Sequence, residues 1–465
     1  MKVIENIPFE LRLIFLFLLG GALGSLVNLV VDRLRERTPR YSPWNDWLDR
    51  WLGRKPAEPH RAPDERGARR KKRRKGKPSQ PEKTAGKFAL LPIIGWLEVA
   101  ATAPAGRPRH FWVRPMLVEL LMASSVALLY WWEVGRLALI PDEIFHPRMR
   151  VPETLQAGLH QQFLLHGLLL TFMLAASLID LDEWVIPDAI AVTGTLVALV
   201  FAAASPSAAL FTTAESPERV LRFVMNLSFS APGDLVPGLA AKQPLGISLA
   251  LACVWLWCFA QLPRVWRLGR GWRTAVGLFF GRLAKERAAV MRILLIGVLL
   301  TIFCFLVWWY SETRWTALLS ALIGMTVGGC LIWTIRVVCS AILRREAMGF
   351  GDVTLMAMIG AFLGWQPTLF AFFLSPFFGL IPPIIALTMR SGAPRAVPYG
   401  PFLCLGAMTV VLLWAKIWPW MAERLEIFVG QGGGLVLVIV ASFVAALVLL
   451  LWVLQMIKRL VVGRR

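Results

Sequence analysis

The chain has 465 residues, of which 57% are hydrophobic, and its mean hydropathy is +0.60. This composition excludes a water-soluble globular protein and indicates a membrane protein with several spans. The formal net charge of +21 is uneven, because residues 54–87 hold 14 Lys and Arg against 4 Asp and Glu. We interpret this tract as a solvated cytoplasmic loop beside anionic lipid head groups. A nucleic-acid site is less favoured, since the basic cluster at 69–77 has no aromatic residues to stack on bases.

Apolar runs of about 20 residues, the length that crosses a bilayer, recur along the chain. The first predicted span, 11–31, is too long for the core of a cleaved signal peptide, and a polar region at 34–115 follows it. Further spans are predicted at 116–132, 161–179, 186–204, 245–262, 293–310, 315–338, twice within 353–389, and at 402–418 and 435–457. The predicted fold class is an all-α polytopic membrane protein, a bundle of roughly 9–11 transmembrane helices with a basic cytoplasmic loop after the first helix.

Two aspartates stand at the ends of apolar runs. Asp180 directly follows the 161–179 span, and Asp352 follows Gly349-Phe350-Gly351 before the next apolar run. With the N-terminus outside, the positive-inside rule places both on the cytoplasmic face, together with every strongly basic connection. An ionisable group in the membrane is costly, and two neighbouring carboxylates hold one shared proton. In such a pair one carboxylate activates water and the other polarises the scissile carbonyl, which predicts an intramembrane aspartic peptidase.

Three aspartates in the stretch 179–188 compete for the first catalytic position. Asp180 ends a continuous apolar helix and is the most costly to ionise, so we assign it to the pair. Asp182 points elsewhere if the helix continues, and Asp188, after Pro187, suits an N-cap or a first helical turn. We expect Asp182, Pro187 and Asp188 to support the motif through structure or substrate orientation.

The two glycines before Asp352 have a role of their own. Gly349 and Gly351 allow backbone dihedrals that are closed to other residues and let an extended substrate strand approach. Taken alone, the stretch G-x-G-D is better explained as a helix-start turn with Asp352 as its N-cap. A second aspartate on the same face of the membrane favours catalysis.

The sequence indicates no metal site and no other nucleophile. The six cysteines form no C-x-x-C pair and mostly lie in apolar runs, which argues against a zinc knuckle or a disulfide framework. No Ser/His or Cys/His catalytic set and no Walker or Rossmann fingerprint is present in the sequence.

Taken in order, these stretches resemble the type IV prepilin peptidase (A24-type prepilin leader peptidase) family. The similar motifs are I-D-L-D-E-W-V-I-P-D at 179–188, G-F-G-D at 349–352, G-S-L-V-N at 24–28, D-R-L at 32–34, R-P-M-L-V-E-L-L at 114–121, A-F-L-G-W-Q at 361–366 and P-Y-G-P-F at 398–402. The resemblance implies that Asp180 and Asp352 are the catalytic pair. It also implies a multi-pass protein of the bacterial inner membrane. Such a protein removes the basic leader, after a glycine, from prepilin or pseudopilin precursors for pilus or type II secretion assembly.

The chain departs from the family pattern in several places. Many members carry two zinc-binding C-x-x-C pairs in the first cytoplasmic loop, whereas residues 34–115 contain no cysteine. We therefore expect no zinc and no cofactor for proteolysis, with S-adenosylmethionine needed only if the N-methylation of bifunctional members is retained. The family's lysine two residues after the second aspartate is Thr354 here. The 172 positions that separate Asp180 from Asp352 exceed the spacing in compact relatives.

This comparison divides the chain into six predicted regions. They are the first membrane helix (1–33), the basic cytoplasmic loop (34–115), the helices that carry the first catalytic aspartate (116–204), an inserted membrane and loop region (205–340), the peptidase core with the G-x-G-D motif (341–420), and a C-terminal membrane helix with a basic tail (421–465).

Three other functions fit parts of the pattern. A proton-coupled transporter would use intramembrane carboxylates, but the aspartates lie at helix ends and no inverted repeat is evident. A catalytically silent membrane assembly factor is consistent with Thr354 and the insertion. Presenilin-like enzymes also use G-x-G-D but pair it with Tyr-Asp, where Ile179 stands in this chain. The expected partners are prepilin or pseudopilin precursors and anionic lipid, with no nucleic acid.

Overall fold

A computed structural model describes residues 7–35, 45, 90–102, 110–141, 152–215, 222–231, 243–262, 272–343, 348–388 and 397–430 of the chain. These residues are overwhelmingly helical, which confirms the predicted all-α membrane fold. The chain divides into two compact units, one made of Met1–Arg136 with Leu170–Pro187 and the other of Leu137–Leu169 with Asp188–Arg465.

In the first unit, the described residues form three helices and the end of a fourth. These are α1 (Phe9–Leu34), α2 (Gly95–Thr102), α3 (Val113–Tyr130, continued by the π-helical turn Trp131–Gly135) and the second half of α4 (Glu153–Glu183). The helix α2 is short and packs Trp96 and Val99 against aromatic residues at the start of α3. With 8 residues it is too short to span a bilayer.

The helices α1 and α3 pack at close range through glycine. A Cβ atom on Gly24 would lie 2.6 Å from the Cα of Glu119, and one on Gly20 would lie 2.8 Å from the Cα of Ala123. Lipid tails are as apolar as the helix surfaces, so association in a membrane depends on such close backbone contact and on buried polar contacts. The glycines of α1 therefore hold the first unit together.

The buried polar contact at this crossing is centred on Glu119, whose side chain is only 1% exposed. Its Oε1 accepts hydrogen bonds from Ser25 Oγ at 2.8 Å and Asn28 Nδ2 at 3.3 Å, and its Oε2 accepts one from the Ile93 backbone N–H at 2.6 Å. A buried carboxylate needs such donors, because it is otherwise strongly destabilised. Two of the motifs, 24–28 and 114–121, thus meet in one structural cluster, which also holds Ile93, a residue with φ +65°.

The second unit contains the remaining elements. They are the first half of α4, α5 (Asp188–Ala204), β1 (Phe211–Glu215), β2 (Arg222–Asn226), α6 (Pro244–Gln261), α7 (Trp272–Lys285), α8 (Arg287–Tyr310), α9 (Glu312–Leu343), α10 (Phe350–Leu363), α11 (Trp365–Gly379), α12 (Ile381–Thr388) and α13 (Gly400–Gly430).

Among the described residues, seven helices are long and apolar enough to cross a membrane. They are α1, α3, α4, α6, α8, α9 and α13, and shorter apolar helices follow at α5 and α10. The predicted spans match these helices closely, although α10 to α12 form three short helices where two spans were predicted in 353–389. The helix α13 continues past the predicted boundary at 420, and the predicted span at 435–457 lies outside the described residues.

The sequence predicts no regular element between the spans 186–204 and 245–262, but the structure has two strands there. Strands β1 and β2 form an antiparallel hairpin in which Phe211 pairs with Asn226 and Glu215 with Arg222. The hairpin is anchored to the helices of the second unit by Trp414, whose Nε1–H donates to the Phe211 carbonyl at 2.8 Å. The segment after it is anchored by Gln366, whose Nε2 donates to the carbonyls of Ser228 and Ala231. The A-F-L-G-W-Q stretch therefore has a structural role at the end of α10 opposite Asp352.

Candidate active site

The residue Asp180 lies in the last turn of α4 and is 5% exposed. The helix ends three residues later, where Trp184 adopts the left-handed conformation with φ +61°. The Trp184 backbone N–H donates to the Asp180 carbonyl at 2.9 Å, which closes the last turn. The predicted burial of Asp180 at a helix end is confirmed.

The neighbouring carboxylate, Asp182, is held by two arginines. Its Oδ2 lies 2.5 Å from Arg35 Nη2, just after α1, and its Oδ1 lies 2.6 Å from Arg114 Nη1, at the start of α3. The side chains of Asp182 and Arg35 are only 13% and 11% exposed. Burial lowers the pKa of Arg35, and the charge of Asp182 opposes that change. With both oxygens engaged, Asp182 is suited to joining three chain segments and poorly suited to accepting a proton.

The other two predicted supporting residues, Pro187 and Asp188, are less deeply buried than Asp180. Asp188 is the first residue of α5 and is exposed, in agreement with the predicted first-turn position. Pro187 precedes it and separates α4 from α5. Asp180 is therefore more deeply buried than Asp188, and both oxygens of the third aspartate of the stretch, Asp182, are in ion pairs with arginine.

In the second unit, Asp352 occupies the first turn of α10. The N-cap is Gly349, with φ −67° and ψ 155°, so the alternative explanation of this stretch, in which Asp352 caps the helix, is wrong. A Cβ on Gly349 would lie 3.7 Å from Asp352 Oδ2, so the carboxylate turns back toward the helix N-terminus. The free N–H groups and dipole there stabilise negative charge. Asp352 is 8% exposed, and every residue from it to Leu363 is buried.

A pair of hydroxyl groups lies near Asp352. Tyr399, just before α13, forms a hydrogen bond of 2.5 Å between its Oη and Ser375 Oγ. Burial raises the pKa of Tyr399, and the negative charge of Asp352 adds to the rise. Tyr399 belongs to the P-Y-G-P-F stretch, which was noted in the sequence without a role. Thr354 donates its Oγ1–H to the Gly351 carbonyl at 3.0 Å and is 3% exposed.

The arginine Arg336 of α9 contacts the segment that precedes Asp352. Its Nε–H donates to the Met348 carbonyl at 3.0 Å, and its guanidinium lies 5.7 Å from the centre of the Phe350 ring. No sequence motif includes Arg336. In the sequence, only its position near the end of a predicted span could have indicated a role at the site.

No metal site is found in the part of the chain that the structure describes, where no group of three or more His, Cys, Asp or Glu could hold an ion. The C-x-x-C pairs that bind zinc in many family members have no counterpart, since all six cysteines lie at 253 or later. The residues present therefore do not fit that zinc site.

Comparison with known proteins connects this site to one family. Residues 286–384 match the Type IV leader peptidase family. The matched segment contains α9, α10 and Asp352 and does not include Asp180. It begins inside the region 205–340 that we predicted as inserted. No solved structure matches the chain.

Curated relatives give the same result. The prepilin leader peptidase/N-methyltransferase of Pseudomonas putida is 32% identical over 99 residues, which is 21% of this chain and 34% of the relative. The protein of that name from Pseudomonas aeruginosa is 36% identical over 97 residues, 20% of this chain and 32% of the relative. The Escherichia coli protein is 29% identical over 92 residues, 20% of this chain and 39% of the relative. The chain thus spans about a third of the length of these relatives. The resemblance to the type IV prepilin peptidase family is confirmed.

Proposed function

We propose that the chain is an intramembrane aspartic endopeptidase that removes the basic leader of type IV prepilin or pseudopilin precursors. The observation that carries the proposal is Asp352, a buried carboxylate at the start of α10, inside the segment that matches the leader peptidase family. The similar proteins of Pseudomonas putida and Pseudomonas aeruginosa are named as prepilin leader peptidases, which supports the substrate class.

In the proposed mechanism Asp180 and Asp352 form the catalytic pair. One carboxylate takes a proton from the attacking water, and the other, protonated, polarises the scissile carbonyl. Asp180 is preferred over Asp182 because both oxygens of Asp182 are in ion pairs, and over Asp188 because Asp188 is exposed. The Gly349 and Gly351 backbone would leave space for an extended substrate strand beside Asp352.

We place the reaction at the cytoplasmic face of the bacterial inner membrane. The ion pairs of Asp182 support this side for Asp180, because they join the end of α4 to the two ends of the basic 34–115 loop. Basic loops are retained on the cytoplasmic side. Arg344 and Arg345 just before Gly349 support the same side for Asp352. Assembly of a pilus or a type II secretion system is the proposed purpose.

Anionic lipid is a proposed partner of α7. This helix exposes Phe280 (63%) and Leu278 (38%), carries Arg282 and Lys285 in its last turn, and is followed directly by the membrane helix α8. Exposed apolar residues beside basic ones are typical of helices that lie in the head-group region. We further propose that cleavage needs neither zinc nor another cofactor, with S-adenosylmethionine required only for a retained methylation activity. No nucleic-acid partner is proposed.

Co-expression with a type IV prepilin tests the catalytic assignment. The readout is leader removal by wild type, Asp180→Asn and Asp352→Asn, since asparagine keeps the size and polarity of aspartate but cannot transfer the proton. Glu153→Gln, an exposed carboxyl change at the other end of α4, is the matched control and should cleave normally. Cleavage by Asp180→Asn would move the role to Asp182 or Asp188. Failure of correctly inserted wild type to cleave any precursor would favour the silent assembly factor.

A further inference from the structure

The helices α9 and α10 form the closest helix contact in the second unit. A Cβ atom on Gly324 would collide with the Gly360 carbonyl, and one on Gly328 would collide with the Met356 carbonyl. These contacts show that the two helices are antiparallel. A step of four residues toward the C-terminus of α9 corresponds to a step of four residues toward the N-terminus of α10.

Continuing this register along the same face of α9 leads to the catalytic segment. Ile332, which is fully buried, is level with Asp352, and Arg336 is level with Met348. The observed contacts agree with this register, because the Arg336 Nε–H donates to the Met348 carbonyl at 3.0 Å. The face of α9 that packs on α10 is thus made of small and apolar residues, and it ends with Arg336 beside the start of α10.

The segment before Asp352, residues 348–351, offers few side chains for contacts. Two of its four residues, Gly349 and Gly351, lack side chains, and glycine has the largest conformational freedom to lose. Phe350 is the one side chain between them, and Arg336 lies over its ring at 5.7 Å. Arginine combines a directional donor with a flat cation that stacks on aromatic rings. Arg336 therefore contacts both the backbone and the side chain of this segment.

We propose that Arg336 is a positioning residue for Asp352, which holds residues 348–351 so that the carboxylate is fixed at the helix N-terminus. This inference rests on the proposed peptidase function and assigns Arg336 no contact with substrate. A catalytic group displaced by about 1 Å can cost on the order of 100-fold in rate. Loss of Arg336 should therefore lower kcat, while KM changes little.

The test compares Arg336→Met with a matched arginine at the other end of the same helix. Arg314 also donates to a carbonyl, that of Ala203 at 3.4 Å, and lies over an aromatic ring, that of Tyr310 at 5.6 Å. Purified proteins are assayed for prepilin leader cleavage, with kcat and KM measured separately. Arg336→Met should lose about 10- to 100-fold in kcat. Arg314→Met should keep the wild-type kcat, and Arg336→Lys, which retains the charge but not the fork, should be intermediate.

A second readout does not depend on activity. Hydrogen exchange of the backbone amides in 348–353 should become faster in Arg336→Met and stay unchanged in Arg314→Met. A wild-type kcat or unchanged exchange in Arg336→Met would overturn the inference. If wild type itself cleaves no precursor while exchange still accelerates in Arg336→Met, the peptidase function fails and the anchoring by Arg336 stands. If Arg336→Met does not accumulate, Arg336→Lys carries the same two measurements.

Discussion

Arg35 and Asp182 form an ion pair in which Arg35 Nη2 lies 2.5 Å from Asp182 Oδ2, and this pair joins the end of α1 to the end of α4. The aspartate lies two residues after Asp180, so the ion pair anchors the helix turn that carries the proposed catalytic group. The two arginine partners of Asp182 should contribute unequally to stability, because Arg35 is mostly buried whereas Arg114 is 47% exposed.

Arg35→Gln should destabilise the protein more than Arg114→Gln. Removing one partner of a buried ion pair costs about 3–5 kcal/mol, whereas an exposed ion pair contributes about 1 kcal/mol or less. The measurement is the midpoint of thermal unfolding of the purified protein in detergent. The effect of Arg114→Gln should also fade at high salt, where exposed charges are screened. Equal shifts for both variants would show that burial does not distinguish the two partners.

Gly328→Ala should disrupt the contact between α9 and α10. The added Cβ meets the Met356 carbonyl oxygen, a backbone atom that cannot move without shifting α10. Overpacking of this kind costs about 1–3 kcal/mol. Thermal unfolding in detergent provides the measurement, with Gly281→Ala as the matched control. Gly281 is also helical, but its added Cβ would meet nothing within 4 Å. That control should be neutral or stabilising, by up to about 1 kcal/mol, and a loss in Gly281→Ala equal to that in Gly328→Ala would contradict the packing argument.

Trp184→Gly should be more stable than Trp184→Ala. Trp184 has φ +61°, a conformation that costs a residue with a Cβ about 1–2 kcal/mol and costs glycine little. The side chain is 56% exposed, so both variants lose similar and limited packing. The difference between their midpoints of thermal unfolding therefore measures the cost of the left-handed backbone conformation. Identical midpoints would mean that the left-handed conformation at the end of α4 carries no such cost.

The membrane architecture follows from the amino-acid sequence alone. Long apolar runs such as 11–31 and 293–310 show where the chain crosses the membrane. These segments must be helical, because a backbone inside lipid satisfies its hydrogen bonds within a helix. The burial of Asp180 and Asp352 at helix ends was predicted for the same reason. Motifs in the sequence also led to the family that the segment 286–384 matches.

The contacts of each polar residue, in contrast, depend on tertiary packing and could not be predicted from the sequence. The ion pairs of Asp182, the hydrogen bonds to Glu119 and the contact of Arg336 with Met348 join residues 12 to 147 positions apart along the chain. The β1–β2 hairpin was missed because its anchor, Trp414, is 203 residues from Phe211. Hydropathy reports how a residue interacts with its solvent, whereas such contacts depend on which helix faces pack together. That choice is set by close glycine crossings such as Gly24 with Glu119 and Gly328 with Met356.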